Sequence, residues 1–207
     1  MTARDAASVE DLARSHPGTA LPLPLDITDH AQARAVVHAA AGGLGQFNTA
    51  QERFGAIDVL VNNAGHSYRA AVEAAEDQVQ ELFATNFFGP AALIRAVLPG
   101  MRRHGSGTIV NVSSIGARSF PVGSGYYAAS WKSPSWRSSP APSVPASCVP
   151  SPSHAIITAV HSPSPPLMLV LGPDALISFR DAMKELSADV DAWEQTSLST
   201  SFPLTGG

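Results

Sequence analysis

The run IDVLVNNAG, residues 57–65, decides the fold class. It begins as an apolar, β-branched segment typical of a buried strand and ends abruptly in two asparagines, Asn62 and Asn63. Asparagine side chains at such a strand end can tie neighbouring strand ends together. Ala64 and Gly65 would let a flat ligand lie against bare backbone. Taken alone, a strand followed by these four residues is a turn about as often as it is a site.

Two more runs of the same kind flank this one. The run ALPLPLDI covers residues 20–27, and TIVNV covers residues 108–112 and leads into two serines. Helical patterns lie between the runs, one over residues 30–40 and a longer one from about Asp77 to Met101. Strands that alternate with helices predict a parallel sheet, in which ligands gather at the carboxyl ends of the strands. The polar residues of this chain stand at those ends.

A serine and a tyrosine complete a chemically meaningful set. Ser114 follows the third run, and Tyr127 lies 13 residues beyond it in the stretch YYAAS. A hydroxyl and a phenol that meet at adjacent strand and helix ends can hydrogen-bond one substrate carbonyl and supply its proton. The motif NNAG, the serines after the third run and the tyrosine in YYAAS stand in this order. This combination is much less probable by chance than any one of the three.

With these motifs the chain resembles the short-chain dehydrogenase/reductase family, single-domain Rossmann oxidoreductases that use NAD or NADP. The resemblance covers most of residues 1–130. It rests on the stretches LDITD (25–29), IDVLVNNAG (57–65), ATNFFGPAALIRAVLPGM (84–101), GSGTIVNVSSIGA (105–117) and GSGYYAAS (123–130). It implies an α/β fold with a doubly wound parallel sheet, and a reaction in which hydride passes between nicotinamide and a carbonyl or alcohol carbon.

The resemblance also assigns residues to roles. Asn86, Ser114 and Tyr127 correspond to three members of the family's catalytic tetrad, in which Tyr127 exchanges the proton, Ser114 fixes the substrate oxygen and Asn86 orders a proton relay. The implied cofactor-binding residues are Arg4, Asp26, Ile27, Asn62, Asn63, Ala64 and Gly65. Arg4 matches a basic residue that in the family often meets the phosphate of NADP, so NADP is preferred over NAD.

The fourth member of the tetrad is out of place. In the family a lysine follows the tyrosine by four residues, but here that position holds Trp131 and the lysine is Lys132. One residue turns a helix by about 100°, so Lys132 would point away in a regular helix, and Pro134 leaves little helix to hold it. A nearby cation is what brings a phenol, with its usual pKa of about 10, toward working pH. Lys132 is therefore the candidate for this role only if its flexible side chain reaches over.

Pro90 removes one helical hydrogen bond near Asn86. Proline has no N–H, so the helical hydrogen bond from residue 90 to the carbonyl of Asn86 cannot form. We hypothesise that this carbonyl holds a water of the proton relay; a simple helix kink explains the proline equally well.

Several family elements have no counterpart. The resemblance places MTARD, residues 1–5, at the end of the second strand, so the sheet is expected to lack its first strand and Gly-rich loop, and also its sixth strand. We therefore expect an incomplete Rossmann domain over residues 1–130 and a Ser/Pro-rich segment over 131–154. A carboxyl-terminal strand and helix of the same domain should follow over 155–207, with the strand at LMLVL (167–171). The Ser/Pro-rich segment is either a flexible linker or a reading-frame fault. Unpaired neighbours of a missing central strand would leave the chain weakly stable.

Composition narrows the classes of function. A net charge of −4 makes nucleic acid an unsuitable partner, and the seven histidines and Cys148 show no metal-binding spacing, so no metal is expected. The lone cysteine, the absence of a signal-peptide pattern and the absence of a membrane-length apolar run indicate a cytoplasmic protein with no membrane partner. The substrate would be a small carbonyl or alcohol compound, and a homo-oligomer stays open. The alternative to an enzyme is a non-catalytic fragment or pseudoenzyme with at most an interaction role.

Overall fold

The computed structural model describes residues 1–40, 56–70, 73, 76–114, 125–130 and 152–199. The chain divides into two compact units, Met1–Leu169 and Val170–Gly207. The first unit contains four short strands, β1 (Thr2–Ala3), β2 (Leu23–Pro24), β3 (Val59–Asn62) and β4 (Thr108–Asn111). Its α-helices are α1 (Glu10–Ser15), α2 (His30–Ala40), α3 (Glu76–Phe83), α4 (Gly89–His104), α5 (Gly125–Ser130) and α6 (Pro152–Val160).

The strands form two separate parallel pairs. β1 pairs with β2, and β3 pairs with β4. The predicted α/β class with parallel strands is confirmed. Within the described residues no strand joins the two pairs.

The register of the second pair brings the ends of its strands level. Val59 pairs with Thr108 and Asn62 pairs with Asn111, and the Val112 N–H donates to the Asn62 carbonyl at 2.9 Å. The NNAG motif therefore begins at the same sheet edge as the serines that follow β4, as the sequence predicted.

The core lies between the sheet and the helices α2 and α4. The predicted helix over residues 30–40 is confirmed, and the Asp29 carboxylate caps it by accepting from the Ala31 and Gln32 amides at 2.8 and 3.0 Å. Gly105, at φ 69°, ends α4 in the left-handed conformation that glycine adopts without strain. The buried core residues are Leu25, Ile27, Ala33, Val37, Leu93, Val97 and Met101.

A π-helical turn, Ala84–Phe88, joins α3 to α4, so the long predicted helix is present but not uniform. By length and composition alone the stretch Gln78–His104, 27 residues, could cross a membrane, contrary to the expectation that no segment would. Core helices of soluble proteins meet the same criterion. Leu93, Val97 and Met101 of this stretch lie in the core.

Two expectations for the following region are corrected. The Ser/Pro-rich segment was expected to run to residue 154, but α6 (Pro152–Val160) begins inside it, and its proline starts the helix without losing an intrahelical donor. The run 167–171 forms no strand, because no strand of the described residues lies beside it to share hydrogen bonds. Leu167, its first residue, is 68% exposed.

The second unit is mostly one helix. α7 (Pro173–Ala192) is followed by a short α8 (Glu194–Leu198), so the predicted carboxyl-terminal helix is present. None of the residues of α7 is buried. Its exposed large apolar residues are Leu176, Ile177, Met183, Leu186 and Val190.

Candidate functional site

A small hollow opens at the carboxyl ends of β3 and β4. Its cavity volume is about 10 Å³, far below the roughly 300–1,000 Å³ usual for a ligand pocket. Parallel strands present their carboxyl ends at one edge, which is why the sequence predicted a site there. The hollow is lined by Asn62, Ala64, Asn86, Pro90, Asn111, Val112 and Ser113.

Asn62 carries an unused hydrogen-bond acceptor beside this hollow. Its side chain is only 4% exposed, and its amide nitrogen donates to the Asn111 side-chain oxygen at 2.8 Å. Its own side-chain oxygen is buried and has no partner within the described part of the chain. A buried acceptor without a donor costs about 1–3 kcal/mol, so a bound donor at this point would be favourable. Asn63, Ala64 and Gly65, which follow, are exposed along the backbone.

Asn86 makes three side-chain hydrogen bonds at the site. It lies in the π-helical turn and is 2% exposed. Its side-chain oxygen accepts from the His66 N–H at 3.0 Å, and its amide nitrogen donates to the His66 carbonyl at 2.9 Å. The same nitrogen donates to the Ser130 hydroxyl at 3.0 Å. Asn86 thus ties the segment after NNAG to helix α5, which carries Tyr127.

The π-helical turn lies where Pro90 interrupts the regular hydrogen-bond pattern. The Gly89 N–H donates to the Ala84 carbonyl, five residues back, and residue 90 supplies no N–H to Asn86. Bulges of this kind occur often at functional sites. The turn accompanies the predicted irregularity at Asn86, and the relay water remains a hypothesis.

The two remaining catalytic candidates border the same region. Ser114 is half-buried and follows Ser113, which lines the hollow. Tyr127 is half-buried on α5, and the carbonyl of its own backbone accepts from the Ser130 hydroxyl at 2.9 Å. The elements that carry Ser114 and Tyr127 are therefore gathered around Asn86, while the direct pairing of the two side chains stays a prediction.

The proposed nucleotide residues on the other strand pair lie near a charged turn. The Asp26 carboxylate accepts from the Thr28 hydroxyl at 2.7 Å and from the Thr28 amide at 2.9 Å. These two hydrogen bonds, with a smaller contribution from the Arg4 cation, lower the pKa of Asp26. Arg4 is exposed and directly follows β1, which pairs with β2.

Ile27 has a different position from the other cofactor candidates. Its side chain is 8% exposed and belongs to the core, where it lies against Gly89. Only its backbone is therefore suited to flank an adenine. Lys132 lies outside the described residues. Among the residues described, no cluster of three or more histidines, cysteines or acidic side chains could hold a metal.

The sequence did not single out Asn111, His66 or Ser130. Asn111 becomes part of the site only through its register with Asn62, and His66 contributes only backbone atoms. Ser130 carried one weak signal, because it is the hydroxyl that ends the stretch YYAAS. Its partner lies 44 residues away, so the contact itself could not be read from the sequence.

Known proteins are similar to this chain in sequence. A family model described as short chain dehydrogenase matches residues 1–132. Dehydrogenase/reductase SDR family member 7B of Bos taurus is 39% identical over 134 residues, or 61% of this chain, and the aligned part is 39% of that relative's length. The chain therefore spans about two-fifths of this relative.

Solved structures are similar as well. The crystal structure of a short-chain dehydrogenase from Streptomyces avermitilis has a TM-score of 0.75 and 27% identity, covering 97% of this chain and 88% of that one. A gluconate 5-dehydrogenase from Burkholderia cenocepacia, solved in complex with NADP and tartrate, has a TM-score of 0.53 and 28% identity. That match covers 63% of this chain and 49% of the other.

Proposed function

The chain belongs to the short chain dehydrogenase family of oxidoreductases, and from that premise we propose that it is an NAD(P)-dependent enzyme acting on a small carbonyl or alcohol substrate. A bound nicotinamide would supply or accept the hydride. The observation that carries the proposal is the Asn86 side chain, which holds the segment after NNAG and the helix of Tyr127 around one hollow.

The residues at the hollow suit a flat cofactor with hydrogen-bond donors. The unpaired side-chain oxygen of Asn62 would accept one hydrogen bond, and the exposed backbone at Ala64 and Gly65 would allow close approach. Because the hollow has a volume of only about 10 Å³, a cofactor would lie against its mouth rather than inside it.

The proton chemistry belongs to Ser114 and Tyr127. In this proposal the Ser114 hydroxyl holds the substrate oxygen and the Tyr127 phenol gives it a proton in reduction or removes one in oxidation. Asn86 keeps the helix of Tyr127 in place, and its backbone carbonyl orders the relay water. Lys132 would supply the nearby cation.

NADP is the proposed cofactor in preference to NAD. Arg4 is an exposed cation beside the strand pair that precedes Asp26, and its charge acts on that carboxylate. A guanidinium can bind a phosphate through two parallel hydrogen bonds. The similar gluconate 5-dehydrogenase was solved with NADP. Replacing Arg4 by Gln should weaken NADPH binding and leave NADH binding unchanged, and equal loss for both cofactors would contradict this preference.

The proposal is tested with the purified chain, NADPH and 4-nitrobenzaldehyde as the probe carbonyl. We expect saturable NADPH binding and slow reduction of the aldehyde. Tyr127→Phe should retain NADPH binding and lower kcat about 100-fold or more, because proton transfer by a positioned side chain contributes about that much. Tyr126→Phe is the matched control, since Tyr126 is also half-buried on α5 but has no proposed role.

The second candidate is a non-catalytic member of the family. The observation that favours it is Trp131 at the position where the family has its lysine. In that case we expect no saturable NADPH binding and no reduction of 4-nitrobenzaldehyde. Tyr127→Phe would then change neither measurement. Saturable binding with turnover would reject this candidate.

A further inference from the structure

We propose that Ser130 is a positioning residue that couples helix α5, and with it Tyr127, to Asn86. Its effect on turnover rests on the function proposed above. Its structural part can be tested independently of any activity.

The first step is the orientation of the Asn86 amide. The His66 backbone presents both an N–H and a carbonyl to this side chain, at 3.0 and 2.9 Å. Turning the amide over would place donor against donor and acceptor against acceptor. The pair therefore fixes the nitrogen, which has two hydrogens, and leaves one of them for a further acceptor.

The second step is that Ser130 takes this remaining hydrogen. Its hydroxyl oxygen lies 3.0 Å from the Asn86 nitrogen, and the contact is buried. A hydroxyl has one hydrogen of its own, and Ser130 donates it to the Tyr127 carbonyl at 2.9 Å. A directed chain of hydrogen bonds thus runs from Asn86 through Ser130 to the backbone of Tyr127.

The third step is burial. Ser130 is 0% exposed and Asn86 is 2% exposed. Solvent therefore has little access to replace the hydroxyl, and removing it would leave a buried N–H of Asn86 without an acceptor. α5 is only six residues long, Gly125–Ser130, so it has few bonds of its own to keep its orientation. We infer that the Ser130 contact sets where the Tyr127 phenol points.

The experiment compares Ser130→Ala with Ser8→Ala. Ser8 is the matched control because its hydroxyl also donates to a carbonyl three residues back, that of Asp5, but lies exposed and far from Asn86 along the chain. Ser130→Cys is the second variant, since it keeps the volume and replaces the hydroxyl by a poor hydrogen-bonding group. Circular dichroism verifies that each variant is folded.

The activity-independent measurement is NMR of the tyrosine rings and the asparagine side-chain amides. The chain has three tyrosines, so Tyr→Phe variants assign the ring signals. In Ser130→Ala and Ser130→Cys we expect the Tyr127 ring signals and one Asn86 amide proton to shift, with no such shifts in Ser8→Ala. Unchanged signals in a folded Ser130→Ala or Ser130→Cys protein would overturn the proposal.

The kinetic measurement uses NADPH and 4-nitrobenzaldehyde. Ser130→Ala should lower kcat about tenfold and leave the KM for NADPH within about twofold, since misplacement of a reacting group affects the chemical step more than cofactor binding. An equal kcat in Ser130→Ala and the parent would also overturn it. If the parent neither binds NADPH nor turns over, the proposed function fails while the NMR result still decides the role of Ser130.

Discussion

At the scale of single residues, Asn86 was assigned to a proton relay by resemblance, and its side chain also has a structural role. All three of its side-chain hydrogen bonds go to the protein, two to the His66 backbone and one to Ser130. The side chain is thus engaged in holding the site together.

This arrangement makes the Asn86 amide nitrogen sensitive to replacement by oxygen. Asn86→Asp keeps the shape but sets an oxygen against the His66 carbonyl, and should lower the free energy of unfolding by about 1–3 kcal/mol. Asn63→Asp is the matched control, because Asn63 is exposed and should tolerate the change. Urea unfolding at pH 7 measures both, and equal effects would contradict the role assigned to Asn86.

Asp26 gives the fold a defined response to acid. Its pKa is lowered, chiefly by the Thr28 hydroxyl, so its carboxylate stabilises the folded state above the unfolded pKa of 3.8. That contribution is lost as the pH falls below 3.8 through the folded pKa. Thr28→Val removes the largest cause and should make stability less dependent on pH in this range.

The measurement is the urea midpoint at pH 6 and at pH 3 for Thr28→Val and for Thr19→Val. Thr19 is an exposed control whose hydroxyl donates to a backbone carbonyl rather than to a carboxylate. The difference between the two pH values should shrink for Thr28→Val only. A parent-like difference in that variant would show that Thr28 does not set the pKa of Asp26.

How much of the site the sequence could predict depends on how far apart the contacting residues lie along the chain. Asn62 and Asn86 were found because strand ends and local motifs specify them. Ser130 was missed because its importance depends on a partner 44 residues away. The unpaired oxygen of Asn62 was equally hidden, since it depends on which neighbours the side chain meets in three dimensions.

At the scale of elements, the approach of the turn after β2 to the start of α4 depends on the absence of a side chain at Gly89. A Cβ there would lie 2.6 Å from the Ile27 Cγ1 and 2.8 Å from the Ile27 carbonyl oxygen. The backbone oxygen cannot move aside as a flexible side chain would. Gly89→Ala should therefore destabilise the protein by about 1–3 kcal/mol, although alanine favours helix by about 1 kcal/mol.

Gly100 in the same helix supplies the control. Its nearest neighbour to an added Cβ is the Arg103 guanidinium at 3.9 Å, so the space is open. Gly100→Ala should stabilise by up to about 1 kcal/mol. Opposite signs in thermal unfolding would support the close packing of Ile27 on α4, and stabilisation by both substitutions would contradict it.

The helices were predictable to different extents. The apolar spacing of the sequence predicts α2 and the long helix α3–α4. It does not predict the π-helical turn, for which Pro90 is the only indication in the sequence. The strand expected at residues 167–171 was predicted but is not present in the structure. An apolar run forms a strand only where another strand offers hydrogen bonds.

At the scale of the whole molecule, the sheet is divided into two strand pairs that share one layer of helices. Val59 and Val61 of β3 are 36% and 46% exposed, while Leu60 on the opposite face packs against the core. A β-branched strand usually has both faces covered in a parallel sheet. Among the described residues, no element covers the face of β3 that carries Val59 and Val61.

The unequal packing of the two units leads to the last prediction. Leu93 in α4 is 6% exposed and belongs to the core of the first unit, whereas Leu186 in α7 is 50% exposed in the second. Leu93→Ala should cost about 2–5 kcal/mol through lost burial and a new cavity. Leu186→Ala should change the free energy of unfolding by less than about 0.5 kcal/mol, because it leaves no cavity. Urea unfolding of both variants provides the measurement. A large loss in Leu186→Ala would mean that the apolar face of α7 is covered in solution, which would overturn the exposed position it has in the structure.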